Sequence, residues 1–251
     1  MNRLADHRNG GVAGCGAGLS RRTVLPMCGR YATTRSNADL STFFEAVDVA
    51  EPLRPSWNVA PTGSVPLVRI SSSRGARVLD TARWGLVPPW AKDLRAGARM
   101  INARAETVAT LRSFAPSFAK RRCLVPADGW FEWVRSGQEK QAFYMTPADG
   151  APLAFAGLWS AWGPESVLTC SVITTGSLGP LAQVHDRMPL ILPADRWAGW
   201  LTGGGEPEEL LRPLPERELA AIEVRPVGPD VGNVRNNGPE LLERAQQVTL
   251  F

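Results

Sequence analysis

Lysine is nearly absent from this chain. Of its 28 basic residues only Lys92, Lys120 and Lys140 are lysines, and the rest are arginines. The chain therefore has few side-chain amines that could condense with a carbonyl. Arginine offers a planar fork that meets phosphate oxygens two at a time, although a GC-rich coding sequence produces the same bias. Metal ligands are scarce as well. The four cysteines, Cys15, Cys28, Cys123 and Cys170, form no CxxC pair, and the only histidines are His7 and His185. That pattern predicts neither a zinc site nor a disulfide framework, and a reduced, cytoplasmic setting fits it best. No cofactor is expected. No apolar run approaches the ~18 residues of a membrane-spanning helix, so no membrane partner is expected, and no internal repeat is visible.

What the chain does hold is enough for one sizeable core. Its 251 residues are 44% hydrophobic and 21% charged, a balance that argues against bulk disorder. The net charge of +4 and a pI of about 9.2 suit an anionic partner without establishing one.

Residues 1–27 differ from the rest. Residues 1–26 contain five glycines and no aromatic residue, and they lack a periodic apolar pattern. Ser20-Arg21-Arg22 resembles a twin-arginine export signal, but the segment after it, Cys28-Gly29-Arg30-Tyr31-Ala32-Thr33-Thr34-Arg35, is polar where an export signal needs an apolar stretch. The reading is therefore a disordered extension, or an upstream start with Met27 as the true one, ahead of a single domain over 28–251. Within that domain, Asn37 is a candidate cap for a helix reaching Val47. Strands are predicted at 65–70, 76–81, 123–134, 142–146, 153–162, 168–174, 188–192 and 220–227. Short helices are predicted at 105–118, 194–201 and 239–246. Helices scattered among many strands without βαβ alternation predict a compact α+β domain, with a mainly antiparallel, barrel-like β core and short peripheral helices. A monomer is expected.

Four segments carry chemistry together: Met27-Cys28-Gly29-Arg30-Tyr31, Ile101-Asn102-Ala103-Arg104-Ala105-Glu106-Thr107, Pro126-Ala127-Asp128-Gly129-Trp130-Phe131-Glu132-Trp133 and His185-Asp186-Arg187-Met188-Pro189. At these residues the chain closely resembles the SOS-response-associated peptidase family, the abasic-site processing proteins. Asn58-Val59-Ala60-Pro61-Thr62, Trp84-Gly85-Leu86-Val87-Pro88-Pro89-Trp90, Thr174-Thr175 and the tail from Asn233 to Leu241 are similar to further blocks of that family. The resemblance covers essentially residues 28–251.

The resemblance implies covalent capture of abasic sites in single-stranded DNA. An abasic site opens to an aldehyde. An N-terminal Cys28 would present an α-amine and a thiol on one residue, so the amine can form an imine and the thiol can close a thiazolidine ring. The α-amine has a pKa of about 7.7–8.0 against about 10.4 for lysine, so roughly a tenth of it is neutral at pH 7. Carried over by resemblance, Asn102 would orient the open sugar, Glu132 would shuttle protons, and His185 would exchange a proton with the sugar oxygen, a task suited to an imidazole. Thr174 would position the adduct by hydrogen bonding. Arg30, Arg104 and Arg187 would hold flanking phosphates, and Trp84, Trp90 or Trp133 would stack on unpaired bases.

Each residue also has an ordinary structural role open to it. A lone cysteine is usually a small buried hydrophobe, Glu132 fits an exposed strand position, His185 fits a polar cluster with its neighbours, and Asn102 fits a helix cap. One departure from the family pattern matters: 27 residues precede Cys28, where family members place the cysteine directly after the initiator Met. Either translation begins at Met27, or the preceding residues are cleaved, with Glu132 and His185 as acid/base groups for such a self-cleavage. Other readings stay open: an N-terminal-nucleophile cysteine hydrolase, a lyase acting through an imine, and a non-catalytic single-strand-binding module.

Overall fold

Why some of the apolar runs become strands and others do not is clearest along the chain itself. The computed structural model describes residues 29–136 and 138–246; the predicted extension and Cys28 lie outside them. In chain order the strands are β1 (Tyr31–Thr33), β2 (Val47–Asp48), β3 (Ser56–Val59), β4 (Ser64–Ser71), β5 (Ala76–Trp84), β6 (Asn102–Arg104) and β7 (Arg122–Ala127). They continue with β8 (Gly129–Ser136), β9 (Glu139–Pro147), β10 (Leu153–Trp162), β11 (Val167–Gly176), β12 (Arg187–Pro189) and β13 (Ile222–Val227). The helices are short: α1 (Asn37–Phe44), α2 (Ala115–Lys120), α3 (Ala194–Thr202), α4 (Pro207–Leu210) and α5 (Glu216–Leu219). None of the described helices is long and apolar enough to cross a membrane.

The strands form two sheets. One runs β13-β9-β8-β1-β3, and the other runs β12-β11-β10-β7-β4-β5-β2 with β6 added on β11. Most pairings are antiparallel, as expected; β2–β5, β5–β11 and β6–β11 are parallel. Because β5 pairs with both β4 and β11, the path β11-β10-β7-β4-β5 returns to β11. The result is one sheet-dominated α+β domain with a few short helices, as the sequence predicts.

Four local expectations are corrected. The predicted strand 123–134 is two strands in different sheets. The chain turns at Asp128, whose Oδ2 accepts from Thr34 N at 2.6 Å and from Thr34 Oγ1 at 2.7 Å. Gly129 then passes so close to Met145 O that any Cβ there would overlap it. Helix α1 is capped by Ser36 rather than Asn37: Asp39 N donates to Ser36 Oγ at 3.1 Å, an ordinary N-cap bond, and Ser36 Oγ donates to Asp39 Oδ2 at 2.7 Å. The helix stops at Phe44, before Val47. Finally, residues 105–114 form turns, not a helix. Thr107, Val108 and Thr110 are poor helix formers, and α2 starts only where Pro116 sits in its first turn. The predicted helix at 239–246 is a single 3-10 turn, Pro239–Leu242.

Two large clusters and one small cluster of buried side chains fill the space around the sheets. The first joins β1 and β8 to β10, β11 and β12, with Tyr31, Trp84, Trp130, Phe155, Val172 and Met188 among its members. This cluster positions the site.

Candidate functional site

The end of β11 gathers three of the expected residues. β6 is only three residues long, yet it is held firmly in parallel beside β11, with Val172 opposite Asn102 and Thr174 opposite Arg104. Backbone bonds extend the pairing at both ends: Val172 N donates to Ile101 O at 2.9 Å and Ala105 N donates to Thr174 O at 2.8 Å. On the other edge of β11, β12 places Pro189 opposite Thr174 and Arg187 opposite Gly176. Asn102, Thr174 and the turn that carries His185 are thus neighbours across three strands. Thr174 is fully buried, and its hydroxyl faces Ala103 O at 3.5 Å.

His185 is held at one nitrogen. Arg187 N donates to His185 Nδ1 at 3.0 Å, and the same Nδ1 lies 2.9 Å from Asp186 Oδ1. Arg187 itself is not a free fork. Its Nη2 donates to Glu106 Oε2 at 2.9 Å and to Thr174 O at 2.6 Å, and its Nη1 donates to the other Glu106 oxygen. The Arg187 hydrogen bonds hold the Glu106 carboxyl below the usual carboxylate range. In this DNA-free structure the fork grips a carboxylate and a carbonyl.

Glu132 occupies the other sheet, buried at 3% exposure. Side chains alternate across a strand, so Glu132 shares a face with Trp130 and Val134, which belong to the first cluster, while Phe131 and Trp133 face the third. An exposed strand position, the alternative for this residue, is excluded. The first cluster also takes in Ile101, Val172, Val184 and Met188, neighbours of Asn102, Thr174 and His185. One packed unit therefore underlies both halves. β1 lies beside β8 with Tyr31 opposite Trp130, and Phe131 N donates to Arg30 O at 3.0 Å. Carried back along the strand, that register sets Gly29 opposite Glu132. Cys28, the residue before it in sequence, lies outside the described residues.

Trp84 was expected as a stacking platform, and this is corrected. It is 1% exposed, so no base reaches its face. Instead it braces the site: Tyr31 packs edge-on against it with ring centroids 5.1 Å apart, and its Nε1 donates to Ile101 O at 2.9 Å. It thereby ties β1 to the residue preceding Asn102. Trp133 is half-buried, with Lys140 Nζ 4.9 Å from its ring centroid. Trp90 is the open one, at 56% exposure, with Arg112 5.3 Å from its ring centroid.

Among the arginines, Arg104 is exposed. Arg30 is largely committed, donating through Nη1 to Asn58 Oδ1 and Val231 O, both at 2.9 Å, and its burial lowers its pKa. Asn58 had no role assigned from sequence. Buried at 4% exposure, its amide donates to Asn233 O and Asn236 O at 3.0 Å each, clasping the tail to β3. Only the presence of both in family-like blocks hinted at this contact. Cys123 and Cys170 are fully buried. Burial pushes the Cys170 thiol up to about 12 and raises that of Cys123 well above its ordinary value. Neither offers a thiolate at neutral pH.

A sheet-dominated α+β domain with an asparagine, a threonine and a histidine around one strand end and a buried glutamate in the facing sheet defines the class of protein. Residues 27–234 match the family model described as SOS response associated peptidase (SRAP), and the chain belongs to that family. It is 36% identical over 228 residues to the abasic site processing protein YoqW of Bacillus subtilis (strain 168), covering 86% of this chain and 99% of the relative. It is 34% identical over 231 residues to the abasic site processing protein YedK of Escherichia coli (strain K12), with 86% and 99% covered. A solved structure of a protein from Bacteroides thetaiotaomicron shares the fold, with a TM-score of 0.76 at 21% identity over 87% of this chain and 100% of that one.

Proposed function

We propose that this protein processes abasic sites in single-stranded DNA, and that it does so by covalent capture through Cys28 as an N-terminal residue. The observation that carries this reading is the buried Glu132, lying opposite the stretch of chain that leads directly from Cys28 and facing the cluster that backs Asn102, Thr174 and His185. Relatives named abasic site processing proteins support the substrate.

In this mechanism the Cys28 amine attacks the sugar aldehyde, and water leaves as the imine forms. The thiol then adds to the imine carbon, its proton passes to the nitrogen, and a five-membered thiazolidine closes. Glu132 carries protons in both steps. A buried carboxylate is suited to this because its environment excludes competing water. Asn102 orients the open sugar, Thr174 steadies the backbone beside it, and His185 exchanges a proton with the sugar oxygen. Arg104 meets a phosphate and Trp90 stacks on an unpaired base, since both are exposed. Closure requires that nothing precede Cys28, so translation from Met27 with removal of Met, or cleavage of residues 1–27, exposes the amine.

The test is an abasic oligonucleotide incubated with protein beginning at Cys28 and analysed on a denaturing gel. We expect a heat-stable protein–DNA band, absent for Cys28→Ala, whose remaining amine gives only an imine trappable by borohydride. A heat-stable band from Cys28→Ala without reductant overturns the thiazolidine. Nicked DNA without any band favours a lyase, and, in a parallel incubation of the full chain, release of residues 1–27 without DNA reactivity favours a peptidase.

A further inference from the structure

We propose that Glu106 is a positioning residue that acts on His185 through Arg187 and selects the tautomer of its ring; the functional weight of this rests on the reading above that His185 works in the site. The observation is a continuous strut across three strands. Glu106 follows β6, Arg187 opens β12, and between them runs β11, whose Thr174 carbonyl accepts from Arg187 Nη2 at 2.6 Å. The guanidinium thus crosses β11 and is gripped on its far side by both Glu106 oxygens. A bidentate carboxylate fixes the plane of a guanidinium as well as its position. The Arg187 side chain is only 13% exposed, against 53% for Glu106, so the cation is set into the surface and the carboxylate covers it.

The strut ends at the histidine. Because the Arg187 side chain is anchored, its backbone is anchored too, and that N–H donates to His185 Nδ1 at 3.0 Å. A nitrogen that accepts carries no proton, so the neutral ring keeps its proton on Nε2. The competing group is Asp186, whose Oδ1 lies 2.9 Å from the same Nδ1. It satisfies the opposite state, in which Nδ1 bears the proton. Nδ1 therefore sits between one donor and one acceptor, and the two arrangements exclude each other. Glu106 weights the balance toward the donor by holding Arg187 still. Without Glu106, a guanidinium with few water contacts loses its carboxylate, the start of β12 loosens, and Asp186 captures Nδ1. A ring with its proton on Nε2 is a ready donor at that nitrogen, and a change of tautomer at an acid/base histidine removes the proton from where it is used.

The chain makes the experiment direct, because His7 and His185 are its only histidines and a His7→Gln background leaves one ring to observe. Nitrogen-15 NMR separates the two tautomers of a neutral imidazole by the shifts of Nδ1 and Nε2. We expect the Nε2–H form to dominate in the parent protein and a mixture to appear in Glu106→Ala. Glu106→Gln keeps one acceptor for the fork and should fall between them; it also serves if Glu106→Ala fails to fold. Glu106→Asp, which restores the charge on a shorter stem, should recover part of the shift. In parallel, Glu106→Ala should slow whichever step of adduct formation or reversal depends on His185 by about 10-fold, a fraction of the ~10²–10⁴ that a placed acid/base group contributes. Unchanged nitrogen shifts in both Glu106→Ala and Glu106→Gln overturn the proposal. Shifted nitrogens together with a His185→Ala protein of unaltered kinetics leave the tautomer control standing and refute the role of His185 in the reaction instead.

Discussion

The two halves of the site are held by different forces. The half on β1 and β8 is set by packing: Glu132 lies in a strand whose neighbours Trp130 and Phe131 are fully buried, and Tyr31 and Trp84 lock β1 against the core. The half on β6, β11 and β12 is set by polar bonds, namely the strut from Glu106 through Arg187 to His185 and the short parallel pairing of β6. Close-packed aromatic groups transmit displacement and are indifferent to salt. An ion pair half open to water responds to both salt and pH. The rigid half carries the buried carboxylate of Glu132 and the start of β1. The adjustable half carries Asn102, Thr174 and His185.

Breaking the chemistry of the packed half should have the largest effect. Glu132→Gln preserves shape but removes the ionisable proton, and adduct formation should slow by about 10²–10⁴-fold with little change in urea midpoint. An unchanged rate in a single-turnover gel assay would remove Glu132 from the mechanism.

Breaking the packing itself comes next. Trp84→Ala should cost about 3–5 kcal/mol of stability, and Trp84→Phe, which keeps bulk but strands the Ile101 carbonyl, about 1–3 kcal/mol. Chemical denaturation reads both. If Trp84→Phe left stability intact while weakening DNA binding, the residue would be a contact and not a brace.

The outer surface sharpens the comparison. Trp90→Ala should weaken non-covalent binding of single-stranded DNA by about 1–3 kcal/mol, the ordinary worth of one stacked base. Trp133→Ala should weaken it less, because that ring is half-buried beneath Lys140. Fluorescence titration of both variants decides the order, and a reversed order would move the platform to Trp133.

The smallest effect belongs to the strut. Its hydrogen bonds place Glu106 below the usual carboxylate range. A depressed folded-state pKa gives stabilisation that is present above the unfolded value, about 4.3, and lost as pH falls through the folded one. The difference in thermal midpoint between the parent protein and Glu106→Gln should therefore shrink below about pH 4.3. A difference that stays constant with pH would show that charge contributes nothing there.

The family was legible in sequence because its pattern is carried by short blocks. Glu132 sits in Asp128-Gly129-Trp130-Phe131-Glu132-Trp133, and its neighbours announce a strand. The periodicity alone left its face open, since a glutamate between aromatic residues fits either side. Asp128 and Gly129 look like a turn, yet their effect, moving the chain from one sheet to the other, depends on Thr34 and Met145, which are distant in sequence. The role of Trp84 was misread for the same reason. Exposure is a property of the neighbours, and that ring is enclosed by segments many positions away.

By itself the sequence determined the residue types, their order, the class of fold and the family, because local patterns of apolar spacing, turns and motif blocks are written in adjacent residues. Tertiary structure decided which of those residues face the site. It buried Glu132 beside the start of β1, turned Trp84 into a brace and left Trp90 open. It also closed the fork of Arg187 on Glu106. Burial, pairing across sheets and ion-pair partners are set by contacts between segments that only folding brings together.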